Sequence, residues 1–153
     1  MNLRNTLIVE DQSGQREALE YALDTVVPRY NSAYTPTCRK NATCYSEASA
    51  MIERESYDLI LLDHRMPIQP TGTLEKDNFD LFSAQLVNIG YSLISKIQEK
   101  CPQTLIIGTF SLSRQELREF PAPPQTISKM WGEAEQELDA VLKKKCGEGA
   151  YGK

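Results

Sequence analysis

Five residues of complementary chemistry follow short apolar runs in this sequence. Glu10 and Asp11 come after Thr6–Val9, and Asp63 comes after the run Leu59 to Leu62. Thr109 follows Leu105–Ile107 and Gly108, and Lys129 follows a brief run from Thr126 to Ser128. Three carboxylates brought together repel one another and call for a cation. Hard oxygen ligands suit Mg²⁺, which takes a few carboxylates, several waters and the oxygens of a phosphate. A hydroxyl and an ammonium beside that ion complete a cradle that positions and neutralises a phosphoryl group. A carboxylate can itself be the nucleophile, forming an aspartyl phosphate. Asp63, behind the most apolar run, is the natural acceptor, with Glu10 and Asp11 holding metal. Taken singly, each residue reads as a solvated loop acid, a capping threonine or a surface lysine. The case rests on all five together.

Their meeting depends on the elements between them. Leu59, Ile60, Leu61 and Leu62 are apolar at every position, as in a strand buried on both faces of a parallel sheet. Ala18, Leu19, Ala22, Leu23, Val26 and Val27 recur at helical spacing after Ser13 and Gly14. Residues 28–40 are polar and read as a surface excursion, 42–45 as a weak second strand, and 47–55 as a short helix. Phe79, Phe82, Leu86, Ile89, Leu93 and Ile97 step by three or four, predicting a helix from 78 to about 100, interrupted near Gly90 if anywhere. Residues 113–120 read as a short charged helix ended by prolines, and 131–145 as the last helix. Strand and helix thus alternate five times, predicting an α/β doubly wound parallel sheet. Ligand sites in such sheets lie outside the carboxyl ends of the strands, where all five residues fall.

Bulk composition narrows the classes. The 153 residues are 41% hydrophobic and 25% charged, which fits one domain with a proper core, over 1–146, and a Gly-rich tail over 147–153. A net charge of −4 argues against a direct nucleic-acid partner. No apolar run approaches the ~20 residues of a membrane span, so no membrane insertion is expected. The amino terminus enters a strand at once, so no signal peptide is read. Cys38, Cys44, Cys101 and Cys146 form no CxxC pair, and four free thiols suit a reducing, cytoplasmic compartment.

At these residues the sequence resembles the receiver domain of two-component response regulators. The resemblance runs from LIVED at 7–11 through LILLDHRMP at 59–67 and LIIGTFS at 105–111 to ISK at 127–129, nearly the whole chain. It implies a flavodoxin-like sheet of strand order 2-1-3-4-5 with an insertion after the third strand. It further implies that Asp63 is the phosphoacceptor and that Asp11 binds Mg²⁺ directly, with Glu10 binding largely through water. The backbone carbonyl of Arg65 would be a further ligand, and Thr109 and Lys129 would contact the phosphoryl oxygens. Implied partners are a sensor histidine kinase or phosphotransfer protein and a downstream protein target, with a homodimer also open.

The sequence departs from that family at four places. Phe110 stands where receivers have a small residue and would narrow the pocket or swing outward. Met130 replaces the proline after the lysine, so a trans bond with a displaced ammonium is expected, since a cis bond to a non-proline residue costs ~2.5–4 kcal/mol. Thr126 replaces the aromatic switch residue. The stretch from Pro67 to Gly90 is longer than the family's short turn. It reads as a lengthened helix with a solvated loop, or else as a lid, a docking surface or a donor of acids such as Glu75, Asp77 or Asp80. Phe79 and Phe82 read as core packing, His64 as an exposed loop histidine, and Ser111 as an alternative hydroxyl.

Three functions are weighed. The first is a single-domain, non-enzymatic phosphorylatable receiver, in which an added charge of about −1.5 to −2 reshapes the last strand ends. The second is a receiver-like adaptor binding partners independently of phosphate. The third is a small Mg²⁺ phosphotransferase or phosphatase with an Asp nucleophile. The intact five residues favour the first.

Overall fold

The computed structural model describes residues 3–110, 113, 115 and 118–147. Three runs build the centre of the sheet: β1 (Thr6–Val9), β3 (Leu59–Leu62) and β6 (Leu105–Gly108), buried at every position. Successive side chains alternate between two core layers. Ile8, Leu59, Leu61 and Ile107 meet α1 (Ser13–Val26) and α6 (Glu133–Leu142) on one face. Leu7, Val9, Ile60, Leu62 and Ile106 meet α2 (Tyr45–Arg54) and α5 (Leu93–Lys100) on the other. With the edge strands β2 (Arg39–Ala42) and β7 (Gln125–Thr126), the order is β2-β1-β3-β6-β7, all parallel. Counted within this sheet, that is the expected order 2-1-3-4-5.

The edges differ from expectation. The second strand lies over Arg39–Ala42, inside the stretch read as an excursion, and only Ala42 is buried in it. Backbone pairing with β1 holds it there, and its basic side chains find acids. Arg39 bridges Asp24 at 2.9 Å and Glu20 at 3.0 Å, and Lys40 bridges Glu55 at 2.6 Å. The last strand is Gln125–Thr126, slightly earlier than read.

The long helix read over 78–100 is broken. β4 (Arg65–Met66) pairs antiparallel with β5 (Val87–Asn88), so the chain must return to the end of β3 before α5 begins. Between them lie α3 (Leu74–Asp77) and α4 (Phe79–Ala84), and Gly90–Ser92 forms a single 3-10 turn into α5. Phe82 is buried as expected, whereas Phe79 is 52% exposed. Within the short helix read over 113–120, residues 114, 116 and 117 lie outside the described residues, as does the tail beyond 147.

One lysine ties the layers on the α5 side. Lys100 Nζ donates to the carbonyls of Ile52 and Glu53 at 2.5 Å and of Glu55 at 3.1 Å. These are carbonyls at the carboxyl end of α2, where a cation also meets the negative end of the helix dipole. Lys100→Met is expected to lower stability by ~1 kcal/mol, read as a fall in the urea midpoint at unchanged slope.

Candidate functional site at the carboxyl edge of the sheet

The backbone ladder delivers the site residues. Glu10 N–H donates to Ala42 C=O at 3.0 Å, Asp63 N–H to Val9 C=O at 3.1 Å and Thr109 N–H to Leu62 C=O at 2.9 Å. Ile127 N–H donates to Gly108 C=O at 2.9 Å, so the chain leaves β7 at the same edge two residues before Lys129. Residues far apart in sequence are thereby placed side by side.

Glu10, Asp11 and Asp63 are buried, and one oxygen from each lies within 4.8 Å of the others. Lys129 reaches into them, its Nζ 3.0 Å from Glu10 Oε1 and 3.2 Å from Asp63 Oδ2. The Lys129–Met130 bond is trans, as expected, and the ammonium reaches both Glu10 and Asp63. Asp63 Oδ1 accepts the His64 N–H at 2.8 Å, which leaves Oδ2 as the oxygen facing the lysine. Gln12 N–H donates to Glu10 Oε2 at 3.1 Å. Neither oxygen of Asp11 accepts a hydrogen bond from a described residue, and the buried Thr109 Oγ1 also has no partner among them.

Burial dominates the electrostatics. It pushes the Glu10 carboxyl up to about 7, with the Asp11 charge adding and Lys129 opposing. Asp11 rises to about 6 through burial and the charge of Asp63. Asp63 likewise rises to about 6 through burial and the charge of Glu10, against Lys129. Three carboxylates against one ammonium leave about two negative charges uncompensated, the deficit that a divalent cation fills. The unpartnered oxygens of Asp11 are the ligands such an ion would find. Arg65 lies in β4, two residues past Asp63, with its side chain exposed.

Other residues stand differently from expectation. His64 is fully buried, not an exposed loop histidine. Its Nδ1 accepts the Tyr91 N–H at 3.0 Å, and its ring packs against Tyr91, Phe110 and Phe120. Phe110 turns its ring into this cluster, with centroids 5.8 Å from His64, as part of the α5-side core. Thr126 is exposed, and the buried aromatic beside Thr109 is Tyr91 instead. Ser111 lies outside the described residues.

The insertion does bring an acid to the rim. Glu75, on α3, accepts the Ser13 N–H at 3.1 and 3.2 Å at the start of α1. It stands between two open clefts, one lined by Lys129, Met130 and Trp131, the other by Asp11, Arg16 and Thr43. Asp77 instead accepts the Thr73 hydroxyl. Glu75 stands out in the sequence only as one of three candidate acids of the insertion, and no spacing or periodicity marks Tyr91 or the burial of His64.

No helix among the described residues is long and apolar enough to cross a membrane. No known family pattern matches the sequence, and no curated protein resembles it closely enough to register. Solved structures do. A CheY-like receiver domain protein of Methanospirillum hungatei is 18% identical, covering 99% of this chain and 100% of its own, at a TM-score of 0.60. Response regulator TrrA of Thermotoga maritima, solved in complex with Mg²⁺-BeF, is 22% identical over 92% of this chain and 97% of its own, at 0.59. Chemotaxis protein CheY4 of Vibrio cholerae is 15% identical over 94% and 98%, at 0.58. Along nearly its whole length, this chain has the fold of the CheY-like response regulator receiver domains and resembles them, with a buried cluster of three acids at the carboxyl edge of the sheet.

Proposed function

We propose that this chain is a phosphorylation-controlled switch of the receiver kind. One observation carries the reading: Lys129 bridges Glu10 and the Oδ2 face of Asp63, while the adjacent Asp11 is left with both oxygens unpartnered among the described residues. Asp63 Oδ2 would form the new bond to phosphorus as the donor's bond to that phosphorus breaks. Lys129 and Thr109 would hold the transferred oxygens. Glu10, Asp11, Asp63 and the Arg65 carbonyl would hold Mg²⁺, which supplies charge neutralisation to the incoming phosphoryl group. On this reading the chain is a single receiver-like domain over 1–146 and a cytoplasmic phosphoprotein rather than an enzyme acting on free substrates. It would take phosphate from a sensor histidine kinase or phosphotransfer protein and signal to a downstream protein target, alone or as a homodimer. A phosphate-independent adaptor is the second reading, favoured by Thr126, which is exposed and supplies no aromatic switch residue at the rim.

The test uses Mg²⁺ with acetyl phosphate or beryllofluoride. Trp131, the single tryptophan, sits two residues from Lys129 and is 59% exposed, so its fluorescence reports on the rim. Gain of one phosphoryl group by mass, with a fluorescence change on beryllofluoride addition, is expected, and Asp63→Asn is expected to abolish both. A folded wild-type protein that stays silent would make the adaptor the better reading. Continuous release of phosphate from a free phosphoester would point to a phosphatase.

A further inference from the structure

Tyr91 is fully buried and lies in the 3-10 turn that leads from the insertion into α5. Three of its polar contacts together join the two halves of the site. Its N–H donates to His64 Nδ1 at 3.0 Å, and His64 in turn donates its own N–H to Asp63 Oδ1. Its hydroxyl accepts the Phe110 N–H at 3.0 Å and donates to the Phe110 carbonyl at 2.5 Å. Burial pushes the phenol's pKa up, so it keeps the proton that this donation needs.

The residue on the other side of Thr109 is shaped to the same phenol. A Cβ at Gly108 would stand 2.5 Å from Tyr91 Oη and 2.5 Å from Pro123 Cγ, so only glycine lets the hydroxyl reach this strand end. Thr109 therefore sits between a glycine that abuts Tyr91 and a peptide that Tyr91 grips from both sides. Its own Oγ1 is buried and unpartnered among the described residues.

We infer that Tyr91 is the positioning residue for the hydroxyl side of the site: by holding the Phe110 peptide, it sets where Thr109 stands relative to Asp63. The inference rests on the reading of the site as a phosphoryl acceptor. Tyr91 touches none of the reacting atoms and acts through Thr109. The link to the metal side runs through the Tyr91 backbone N–H and His64, and a change at the hydroxyl leaves it in place.

Tyr91→Phe keeps the ring and removes only the grip. Beryllofluoride titrations with Mg²⁺ are expected to show about a tenfold loss of anion affinity, the scale of one lost hydrogen bond. Mg²⁺ affinity measured alone should stay within about twofold, a split that general loosening would not give. Thr109→Ala and Tyr91→Phe should be non-additive, since both act through one hydroxyl. Full anion affinity in Tyr91→Phe, or additive losses in the double variant, would overturn the inference. A wild-type protein without any anion response would instead bring down the reading of the site, and the inference with it. Should Tyr91→Phe fail to fold, amide exchange in the wild-type protein decides: a slowly exchanging Phe110 N–H is expected, and fast exchange would show that no grip exists.

Discussion

Kept free of divalent cations, the protein is expected to lose stability as pH rises from 5 to 8, and Mg²⁺ is expected to restore it. Burial raises Glu10 to about 7 and Asp11 and Asp63 to about 6, against ordinary values of 4.5, 3.8 and 3.8. The folded chain therefore binds more protons than the unfolded one across this window. Stability is fully present below the unfolded values and falls as pH passes through the folded ones. Each tenfold gain in proton affinity on folding corresponds to about 1.4 kcal/mol. The three acids share Lys129 and repel one another, so their contributions do not simply add, and a total of a few kcal/mol is the scale to look for. Hydrogen bonds from Lys96 and Lys40 hold Glu53 and Glu55 below their ordinary range, a shift of the opposite sign to that of the three buried acids. A cation binding the folded site competes with those protons and stabilises more as pH rises. Urea midpoints at pH 5, 6, 7 and 8, with and without Mg²⁺, check this. Glu10→Gln should flatten the metal-free slope. A flat profile in the wild-type protein that ignores Mg²⁺ would show that the three carboxylates do not form one electrostatic unit.

The sheet and its site were legible in the sequence for one physical reason. A strand buried on both faces must be apolar throughout, so LILL and LIIG announce themselves, and whatever follows each run must emerge at the same edge. Edge strands escape this logic. Arg39, Lys40 and Asn41 form a strand because β1 offers a row of backbone partners and nearby acids neutralise the two cations. Nothing in the side chains requires it. Helical spacing misled for a related reason. Leu86 and Ile89 continue the period of Phe79 and Phe82, but the chain around them is claimed by β4 and by the His64 carbonyl, which accepts from Ile89 and Gly90 at 2.9 and 2.8 Å. His64 is the sharpest example. A polar residue beside a strand-end acid reads as solvated, yet Tyr91, Phe110 and Phe120 enclose it, and those aromatics come from parts of the chain that no local pattern connects. Lys129 follows its strand in the sequence, but its reach to both Glu10 and Asp63 is visible only in three dimensions.

Among the described glycines, Gly90→Ala should be the most damaging added methyl group. The new Cβ would overlap the Asp63 carbonyl oxygen, 2.9 Å from the carbonyl carbon and 2.6 Å from Met66 Cε. The Met66 thioether can swing aside, but the Asp63 backbone cannot. Asp63 is held in the sheet by its own N–H to Val9, the following His64 N–H is tied to the Asp63 carboxylate, and that side chain is part of the acid cluster. Relief must come from the turn at Gly90–Ser92, which would have to withdraw from β3. Withdrawal gives up the Ile89 and Gly90 hydrogen bonds to His64 and pulls Tyr91 off His64 Nδ1. Overpacking of this kind costs about 1–3 kcal/mol, and each lost hydrogen bond adds ~1 kcal/mol. The sum, roughly 4–6 kcal/mol, is a large share of the ~5–15 kcal/mol that holds a typical domain together. Gly14→Ala is the matched control, since a Cβ there meets nothing within 4 Å and the residue lies in the first turn of α1. It is expected to be neutral or to stabilise by up to ~1 kcal/mol, because alanine leaves the unfolded chain less freedom to lose. Chemical denaturation of both variants separates the cases. Where Gly90→Ala still folds, its anion response should fall further than its stability alone accounts for, because the displaced peptide is that of Asp63. A Gly90→Ala protein within ~1 kcal/mol of wild type would mean that the turn and β3 do not touch as described, and that the insertion is free to move away from the site.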